Sequence, residues 1–430
     1  MEESVFTDPM SDTDNKNNIR YGLLGQKLPY SFSPRIHALL GNEDYRLIEL
    51  EPEELPAFMK EGSFLGINVT IPYKKAVMPY LDEISNRAKR IGSVNTIVRR
   101  EDGSLYGDNT DYAGLKYLTE HAGIELKGEK VLILGSGGTS LTARTLCEDE
   151  GAESIGIVSR SGELDYENVY DRQDTTVIIN TTPVGTYPGN GKAPLELSRF
   201  PGLSGVVDVI YNPRRTKLIN DTEGLGIKAA SGLRMLIAQA KYAHEEFFGR
   251  ELSDSVIEDI YRELKNDLCN ICIIGMPGCG KSTVGRSLAE LTGKEFADTD
   301  EYIEREAGMS IPEIFDRYGE TYFRELETEA CNELGKRTGM IIATGGGVVL
   351  RKRNIRALRQ NGGCVFLERD IEELSTEGRP LSRSREDVIR IYEDRIDRYR
   401  GYSEFSVRNE GAPLEIAERI RDKVYEAADY

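Results

Sequence analysis

Two glycine-rich loops, each preceded by a short apolar run and followed by a helical pattern, limit what this chain can fold into more than any other feature. The first is Lys130–Leu134 leading into Gly135-Ser136-Gly137-Gly138, with a helical pattern over 139–150. The second is Asn270–Ile274 leading into Gly275-Met276-Pro277-Gly278-Cys279-Gly280-Lys281-Ser282. A strand that turns through glycines into a helix aims backbone N–H groups and the positive helix end at one point, which suits a phosphate. Each such unit opens its own α/β layer, because a parallel strand needs a crossover helix to reach its neighbour. Upstream, apolar stretches at 21–24, 47–50, 65–69 and 94–98 alternate with helical patterns and predict a further α/β region. Three α/β layers in chain order are therefore expected, and 430 residues suffice for two or three domains.

A formal net charge of −18 decides which partners to exclude. A surface so acidic repels nucleic acid and anionic membrane, and neither is expected as a partner. Any site for a phosphorylated or carboxylated ligand must gather its own Arg, Lys and backbone N–H groups. Small-molecule substrates are expected, and a homo-oligomer is compatible with the sequence. No run of eighteen apolar residues predicts a transmembrane helix. Residues 1–18 are polar and acidic, without a basic segment before an apolar one, and read as a disordered tail rather than a secretory signal. Six irregularly spaced cysteines do not make a disulfide framework, and a reducing cytoplasm is the natural compartment. Cys269 and Cys272 form a C-x-x-C pair, but no second pair completes a zinc site. They read instead as small apolar residues on a buried strand over 269–275.

Between the two loop units lies an amphipathic stretch. Ser253 is a candidate N-cap for a helix over 254–265, with Val256, Ile257, Ile260, Tyr261 and Leu264 on one face. No Pro/Gly/Ser-rich linker comes after it, so the halves are expected to be joined closely.

The first loop departs from G-x-G-x-x-G, because Ser140 takes the last position. The next apolar strand, Ser154–Val158, ends in Ser159-Arg160-Ser161 rather than in an acidic residue. An Arg with hydroxyl neighbours suits a 2′-phosphate, which points to NADP(H). Around this lie seven ordered motifs. They are Gly22-Leu23-Leu24-Gly25 with Ser31-Phe32-Ser33-Pro34-Arg35-Ile36-His37; Gly66-Ile67-Asn68-Val69-Thr70-Ile71-Pro72-Tyr73-Lys74; Gly92-Ser93-Val94-Asn95-Thr96; Gly107-Asp108-Asn109-Thr110-Asp111; Asn180-Thr181-Thr182-Pro183-Val184-Gly185; Asp208-Val209-Ile210-Tyr211-Asn212-Pro213; and Gly232-Leu233-Arg234-Met235-Leu236-Ile237-Ala238-Gln239.

Over residues 19–265 this set resembles the shikimate dehydrogenases. The resemblance implies an N-terminal α/β substrate domain (19–127 and 232–265) and a Rossmann-like NADP domain (128–231). A trihydroxy acid needs short hydrogen-bonding side chains, and Ser31, Ser33, Asn68, Thr70, Asn95 and Gln239 supply them. The resemblance adds Tyr211 to these, and makes Lys74 and Asp111 a facing pair on one proton path. An ammonium there stabilises the alkoxide formed as hydride arrives, and passes on a proton. Gly135, Ser136, Gly137, Gly138, Ser159, Arg160 and Gly232 fall to the cofactor. Three positions depart from the family pattern: Tyr30 stands for His, Asn86 for an acid, and Thr186 for Met.

Residues 275–282 match G-x-x-x-x-G-K-[ST]. Gly278, Cys279, Gly280 and Lys281 can cradle ATP phosphates, Lys281 reaches the transferred group, and Ser282 binds Mg²⁺. The acceptor is indicated by five motifs downstream of this loop: Asp298-Thr299-Asp300, Phe323-Arg324-Glu325, Thr344-Gly345-Gly346-Gly347-Val348, Gly378-Arg379-Pro380-Leu381 and Arg395-Ile396-Asp397-Arg398-Tyr399. Over 268–430 this order is similar to shikimate kinase, a P-loop α/β domain. A carboxylate acceptor needs guanidinium forks, and Arg324 and Arg395 are the candidates, with Arg398 a rival. Gly345, Gly346 and Gly347 admit the ring closely. Asp300 can take the proton of the attacking hydroxyl, and Asp298 can hold Mg²⁺. Thr283 joins the nucleotide loop, and Arg379 lies in a candidate lid over ATP. The implied function is reduction of 3-dehydroshikimate to shikimate, then phosphorylation of its 3-hydroxyl. A quinate-type dehydrogenase fused to another small-molecule kinase is the alternative.

Overall fold

The computed structural model describes residues 19–29, 31–374 and 384–427. Its first sheet has the strand order β2-β1-β3-β5-β6-β4. These strands are β1 (Tyr21–Gly25), β2 (Tyr45–Glu49), β3 (Gly66–Val69), β4 (Glu83–Ile84), β5 (Thr96–Arg99) and β6 (Leu105–Asp108). β1 pairs in parallel with β2 and β3, while β5 runs antiparallel to both its neighbours. Helices α1 (Ser33–Leu39), α2 (Leu55–Glu61), α3 (Asn86–Ile91) and α4 (Asp111–His121) belong to this part of the chain.

The second sheet is wholly parallel, with the order β11-β10-β9-β7-β8. It consists of β7 (Lys130–Leu134), β8 (Ser154–Val158), β9 (Val177–Asn180), β10 (Gly205–Asp208) and β11 (Lys228–Ser231). Helices α5 (Gly138–Asp149), α6 (Lys217–Gly224) and α7 (Leu233–Phe248) accompany it. After α8 (Ser255–Leu268) comes a third, parallel sheet of order β13-β14-β12-β15-β16. Its strands are β12 (Asn270–Ile274), β13 (Glu295–Asp298), β14 (Met340–Ala343), β15 (Gly362–Glu368) and β16 (Phe405–Arg408). Its helices are α9 (Lys281–Thr292), α10 (Thr299–Ala307), α11 (Ile311–Lys336), α12 (Lys352–Leu358), α13 (Arg385–Tyr402) and α14 (Pro413–Glu426). The central strands read as continuous apolar runs because helices bury both faces of a parallel sheet. Ile271, Cys272, Ile273 and Ile274 of β12 are all fully buried.

The chain divides into two units. Among the described residues, the first holds those up to Val184, Ala193–Tyr211 and Asp221–Tyr261; the second holds Gly185–Lys192, Asn212–Asn220 and those from Arg262 on. The first two sheets belong to the first unit and the third sheet to the second.

Strands β7, β8 and β12 cover the apolar runs 130–134, 154–158 and 270–274 that the sequence predicts, while Cys269 and Gly275, read as ends of a buried strand over 269–275, fall outside β12. The helix before β12 also departs from its expected bounds. It runs to Leu268 instead of stopping near 265, and only Cys269 separates it from β12. Lys294 explains the extra turn: its ammonium donates to the carbonyls of Asn266 (2.7 Å), Asp267 (2.7 Å) and Cys269 (3.1 Å). A cation on the last carbonyls satisfies acceptors that a helix end leaves open. Ser253 does stand at the start, its Oγ accepting the Ser255 N–H at 3.3 Å. All six cysteines are free and buried. The Cys272 thiol lies beside that of Cys364, and this neighbour together with burial pushes it well above the usual thiol range. No described helix is long and apolar enough to cross a membrane.

Candidate active sites

A cleft of about 540 Å³ opens in the first unit. The β1–α1 loop contributes Ser31, the start of α1 Ser33, the end of β3 Asn68, and the turn after it Thr70 and Lys74. Asn95, Asp111, Tyr211, Gly232 and Gln239 complete the expected set around the same space. Lys74 Nζ donates to Asp111 Oδ2 at 2.6 Å, with both side chains mostly shielded from solvent.

The orientation of Asn95 is set by one group that can only donate. The Thr110 N–H bonds Asn95 Oδ1 at 2.7 Å, so the amide nitrogen must face the other way. There it donates to Asp111 Oδ1 at 2.9 Å and approaches Gln239 Oε1 at 3.4 Å. Both carboxylate oxygens of Asp111 are thus held by fixed donors.

Asn68 lines the cleft, but its amide is already committed. Its Nδ2 donates to the Asn95 carbonyl (3.3 Å) and to Thr96 Oγ1 (3.2 Å). Its Oδ1 accepts from Tyr45 Oη (2.8 Å) and His37 Nε2 (3.2 Å). Asn68 therefore braces the cleft wall rather than offering a spare donor. Burial, then the nearby His244, lowers the His37 pKa to about 3, so its ring is neutral. Sequence reading missed Tyr45, Thr96 and the Thr110 N–H, since nothing local ties residues so far apart to one amide.

The first glycine loop adjoins this cleft. Gly135 has φ +106°, and a Cβ there would lie 2.8 Å from Thr181 Oγ1. Helix α5 starts at Gly138 with Gly137 as its N-cap and no side chain capping it, which leaves first-turn N–H groups for a ligand. A Cβ on Gly138 would meet Ser93 Oγ at 3.3 Å and Lys74 Cδ at 3.6 Å, so the loop rests against the stem of Lys74. Ser136 is exposed beside it. At Gly232 a Cβ would fall 2.1 Å from the Val209 carbonyl. Ser159 and Arg160 come directly after β8, outside the cleft lining. Arg160 is exposed and makes no hydrogen bond or ion pair among the described residues.

The second unit has a cleft of about 610 Å³ lined by Gly278, Gly280, Lys281, Ser282, Thr283, Asp298, Asp300, Arg324, Gly345, Gly346, Gly347 and Arg395. Cys279 is not in the lining. Its side chain is buried, its N–H donates to the Met276 carbonyl at 3.3 Å and its carbonyl accepts from Asn409 Nδ2 at 2.7 Å, so both of its backbone groups have partners within the protein. Lys281 Nζ folds back onto the carbonyls of Gly275 (3.0 Å) and Met276 (2.8 Å). Ser282 Oγ donates to Asp298 Oδ2 at 2.6 Å. A hydroxyl and a carboxylate at the start of the loop helix are hard oxygen donors that fit Mg²⁺.

Arg324 is fixed by Glu327 at 2.9 Å and Glu320 at 3.0 Å. Helix α11 breaks at Gly319 (φ +77°), shortly before this pair. Arg395 donates to the Gly346 carbonyl at 3.0 Å, and Tyr399 Oη does so at 2.5 Å. Arg398 instead donates to the Leu350 carbonyl and stays exposed outside the cleft. The three glycines are packed so closely that side chains are excluded. A Cβ would lie 2.6 Å from Asp300 Oδ1 at Gly345, 2.6 Å from Pro277 Cγ at Gly346 and 1.9 Å from Arg324 Nη1 at Gly347. Asp300 Oδ1 is sealed from solvent without a hydrogen-bond partner among the described residues. Burial first, and then Asp298, raise the Asp300 pKa to about 7, against the pull of Lys281 and Arg324. Glu327, fully buried, was not anticipated; its spacing of three from Arg324 on a helix was the available signal. Arg379, Tyr30, residues 1–18 and most of the candidate lid lie outside the described residues.

The family model for the shikimate dehydrogenase substrate binding domain matches residues 23–97. A shikimate dehydrogenase (NADP(+)) of Clostridium beijerinckii is 36% identical over 267 residues, covering 57% of this chain and 98% of the relative. The chain belongs to the shikimate dehydrogenase family. Among solved structures, a Thermus thermophilus shikimate 5-dehydrogenase in complex with NADP(H) and shikimate is 30% identical with a TM-score of 0.51, covering 57% of this chain and 99% of that one. A chorismate mutase/shikimate 5-dehydrogenase fusion from Clostridium acetobutylicum is 34% identical with a TM-score of 0.54, covering 58% and 98%. Beyond the dehydrogenase part, residues 277–425 match the shikimate kinase family model, so a kinase domain is fused to the dehydrogenase.

Proposed function

We propose that this chain catalyses two consecutive steps on the route to aromatic amino acids. NADPH-dependent reduction of 3-dehydroshikimate gives shikimate, and Mg²⁺-ATP-dependent phosphorylation then takes place at the 3-hydroxyl. Residues 19–265 form the dehydrogenase and 268–430 the kinase. The observation that carries the reading is the presence of two separate clefts. One holds the Lys74–Asp111 pair beside a dinucleotide-type loop, and the other holds a P-loop beside Arg324, Arg395 and Asp300.

In the first cleft, bound NADPH supplies the hydride. Lys74 stabilises the oxygen that gains charge and delivers its proton, while Asp111, aligned by Asn95, keeps the ammonium in place. Ser31, Ser33, Thr70, Tyr211 and Gln239 grip the ring substituents. In the second cleft, Lys281 leaves its loop carbonyls for the phosphates, and Ser282 with Asp298 would hold Mg²⁺. Arg324 and Arg395 bind the acceptor carboxylate as guanidinium forks, and Asp300 accepts the proton of the attacking hydroxyl. The quinate-type alternative is not favoured, because the kinase half matches a shikimate enzyme. The test is a coupled assay with 3-dehydroshikimate, NADPH and Mg-ATP. Shikimate 3-phosphate should accumulate; if no phosphorylated product forms while NADPH is consumed, the kinase half of the reading is wrong.

Arg160 is the proposed reader of the 2′-phosphate. Arg160→Ala should weaken NADPH binding by about 1.5–3 kcal/mol, the range for a hydrogen bond to a charged group. NADH affinity should stay nearly unchanged. Titration of both dinucleotides checks this, and an equal loss for both removes the assignment.

A further inference from the structure

Among the described residues, three charged side chains line the cleft of the first unit: Lys27, Lys74 and Asp111. Lys74 and Asp111 neutralise one another at 2.6 Å. Lys27 is exposed at the edge of the cleft and makes no hydrogen bond or ion pair among the described residues. It therefore supplies the uncompensated positive charge of this cleft, in a chain whose net charge is −18.

The substrate of the proposed reduction is a carboxylate, and this inference rests on that reading. The Lys74–Asp111 pair is neutral as a whole and offers the acid group no net attraction, so a cation for it must come from elsewhere in the cleft. Ser31 on the loop and Ser33 at the start of α1 offer it hydroxyl donors, but these are neutral. Nearby groups make matters worse. Gln26 binds Glu51 at 2.8 Å, one residue from Lys27. Tyr73, next to Lys74 in sequence, has its phenol pKa raised by burial and then by Glu51, Glu53 and Glu54. Without Lys27 an approaching anion would meet a negative rim around a neutral cleft.

We propose that Lys27 recruits and orients the substrate carboxylate, acting as a binding residue with no part in hydride or proton transfer. An ammonium on the loop that also carries Ser31 adds attraction at long range and a charge-assisted hydrogen bond at contact. Its effect should appear in KM and in salt dependence, not in turnover.

The experiment compares the full chain with Lys27→Gln and Lys27→Arg, using 3-dehydroshikimate and its uncharged methyl ester. Lys27→Gln should raise KM for the acid about tenfold, leave kcat within about twofold, and flatten the dependence of kcat/KM on salt. Lys27→Arg should restore KM to within about threefold of wild type. For the methyl ester, wild type and Lys27→Gln should be alike. KM for NADPH, thermal stability and kinase activity should not move. An unchanged KM for the acid overturns the proposal. So does an equal loss with the methyl ester, or a loss that falls on NADPH or on kcat. Those results leave the dehydrogenase reading intact, whereas a wild-type chain that does not reduce the acid overturns that reading and the role of Lys27 together.

Discussion

Lys74→Met should lower the kcat for ketone reduction about 10³-fold, within the range for loss of a positioned proton donor. Phosphorylation of added shikimate should stay within about twofold. Methionine keeps much of the stem volume that packs beside Gly138 but removes the ammonium. The loss should fall on turnover rather than on NADPH affinity, because the contact with the loop is made by the stem. Asp111 is left without its partner, and an unpaired shielded carboxylate costs stability. NADPH titration of the variant separates that cost from chemistry. If the variant binds NADPH normally and keeps more than about a tenth of wild-type turnover, Lys74 is not the proton donor.

Asp300→Asn should lower kinase turnover by about 10²–10⁴-fold and spare the reduction. The pH dependence gives a second signature. With its pKa raised to about 7, Asp300 is protonated in much of the ligand-free enzyme at neutral pH and cannot accept the hydroxyl proton. Kinase kcat/KM should therefore fall about tenfold per pH unit below 7, and this acid limb should vanish in Asp300→Asn. The sign for stability is the reverse of that for activity. A carboxyl whose folded pKa lies above its unfolded value contributes most below the unfolded pKa, near 3.8, and loses that contribution as pH rises through about 7. Asparagine carries no charge to bury, so the variant should melt higher than wild type above pH 7. A variant that is both inactive and less stable at that pH would mark Asp300 as a structural residue.

The parts of the fold legible in the sequence were those set by local chemistry. β7, β8 and β12 are apolar runs that end where glycine or polar residues begin, and finding them needed no knowledge of neighbours. The extent of α8 needed Lys294, which lies well past the helix end in sequence and caps it from outside. The kink in α11 could be suspected from Gly319, but a single glycine does not say whether a helix bends or merely tolerates it. Within the sites, motif order selected residues that line two clefts. It could not reveal that Asn68 spends both amide hydrogens on Asn95 and Thr96, or that Cys279 turns its side chain inward. Those facts depend on which donor meets which acceptor across elements, and no spacing rule encodes them. Between Arg395 and its rival Arg398 the geometry supplies a reason of its own: Arg395 and Tyr399 reach the same Gly346 carbonyl.

The crowding at Gly345, Gly346 and Gly347 bears on how this kinase could escape an inhibitor. Every single-nucleotide change of a glycine codon that encodes a different amino acid installs a Cβ, and from every glycine codon some of those changes add a charged side chain as well. At Gly347 that carbon would coincide with the Arg324 guanidinium, 1.9 Å away, and at Gly345 it would press on Asp300. Neither neighbour can retreat freely, since Arg324 is pinned by two glutamates and Asp300 is enclosed. A compound that draws its affinity from the backbone of these three residues would leave resistance no inexpensive route there. Escape mutations selected against it should cluster at the rim of the cleft, around Ile311, Pro312 and Phe315, which are at least partly exposed and can change without displacing the machinery.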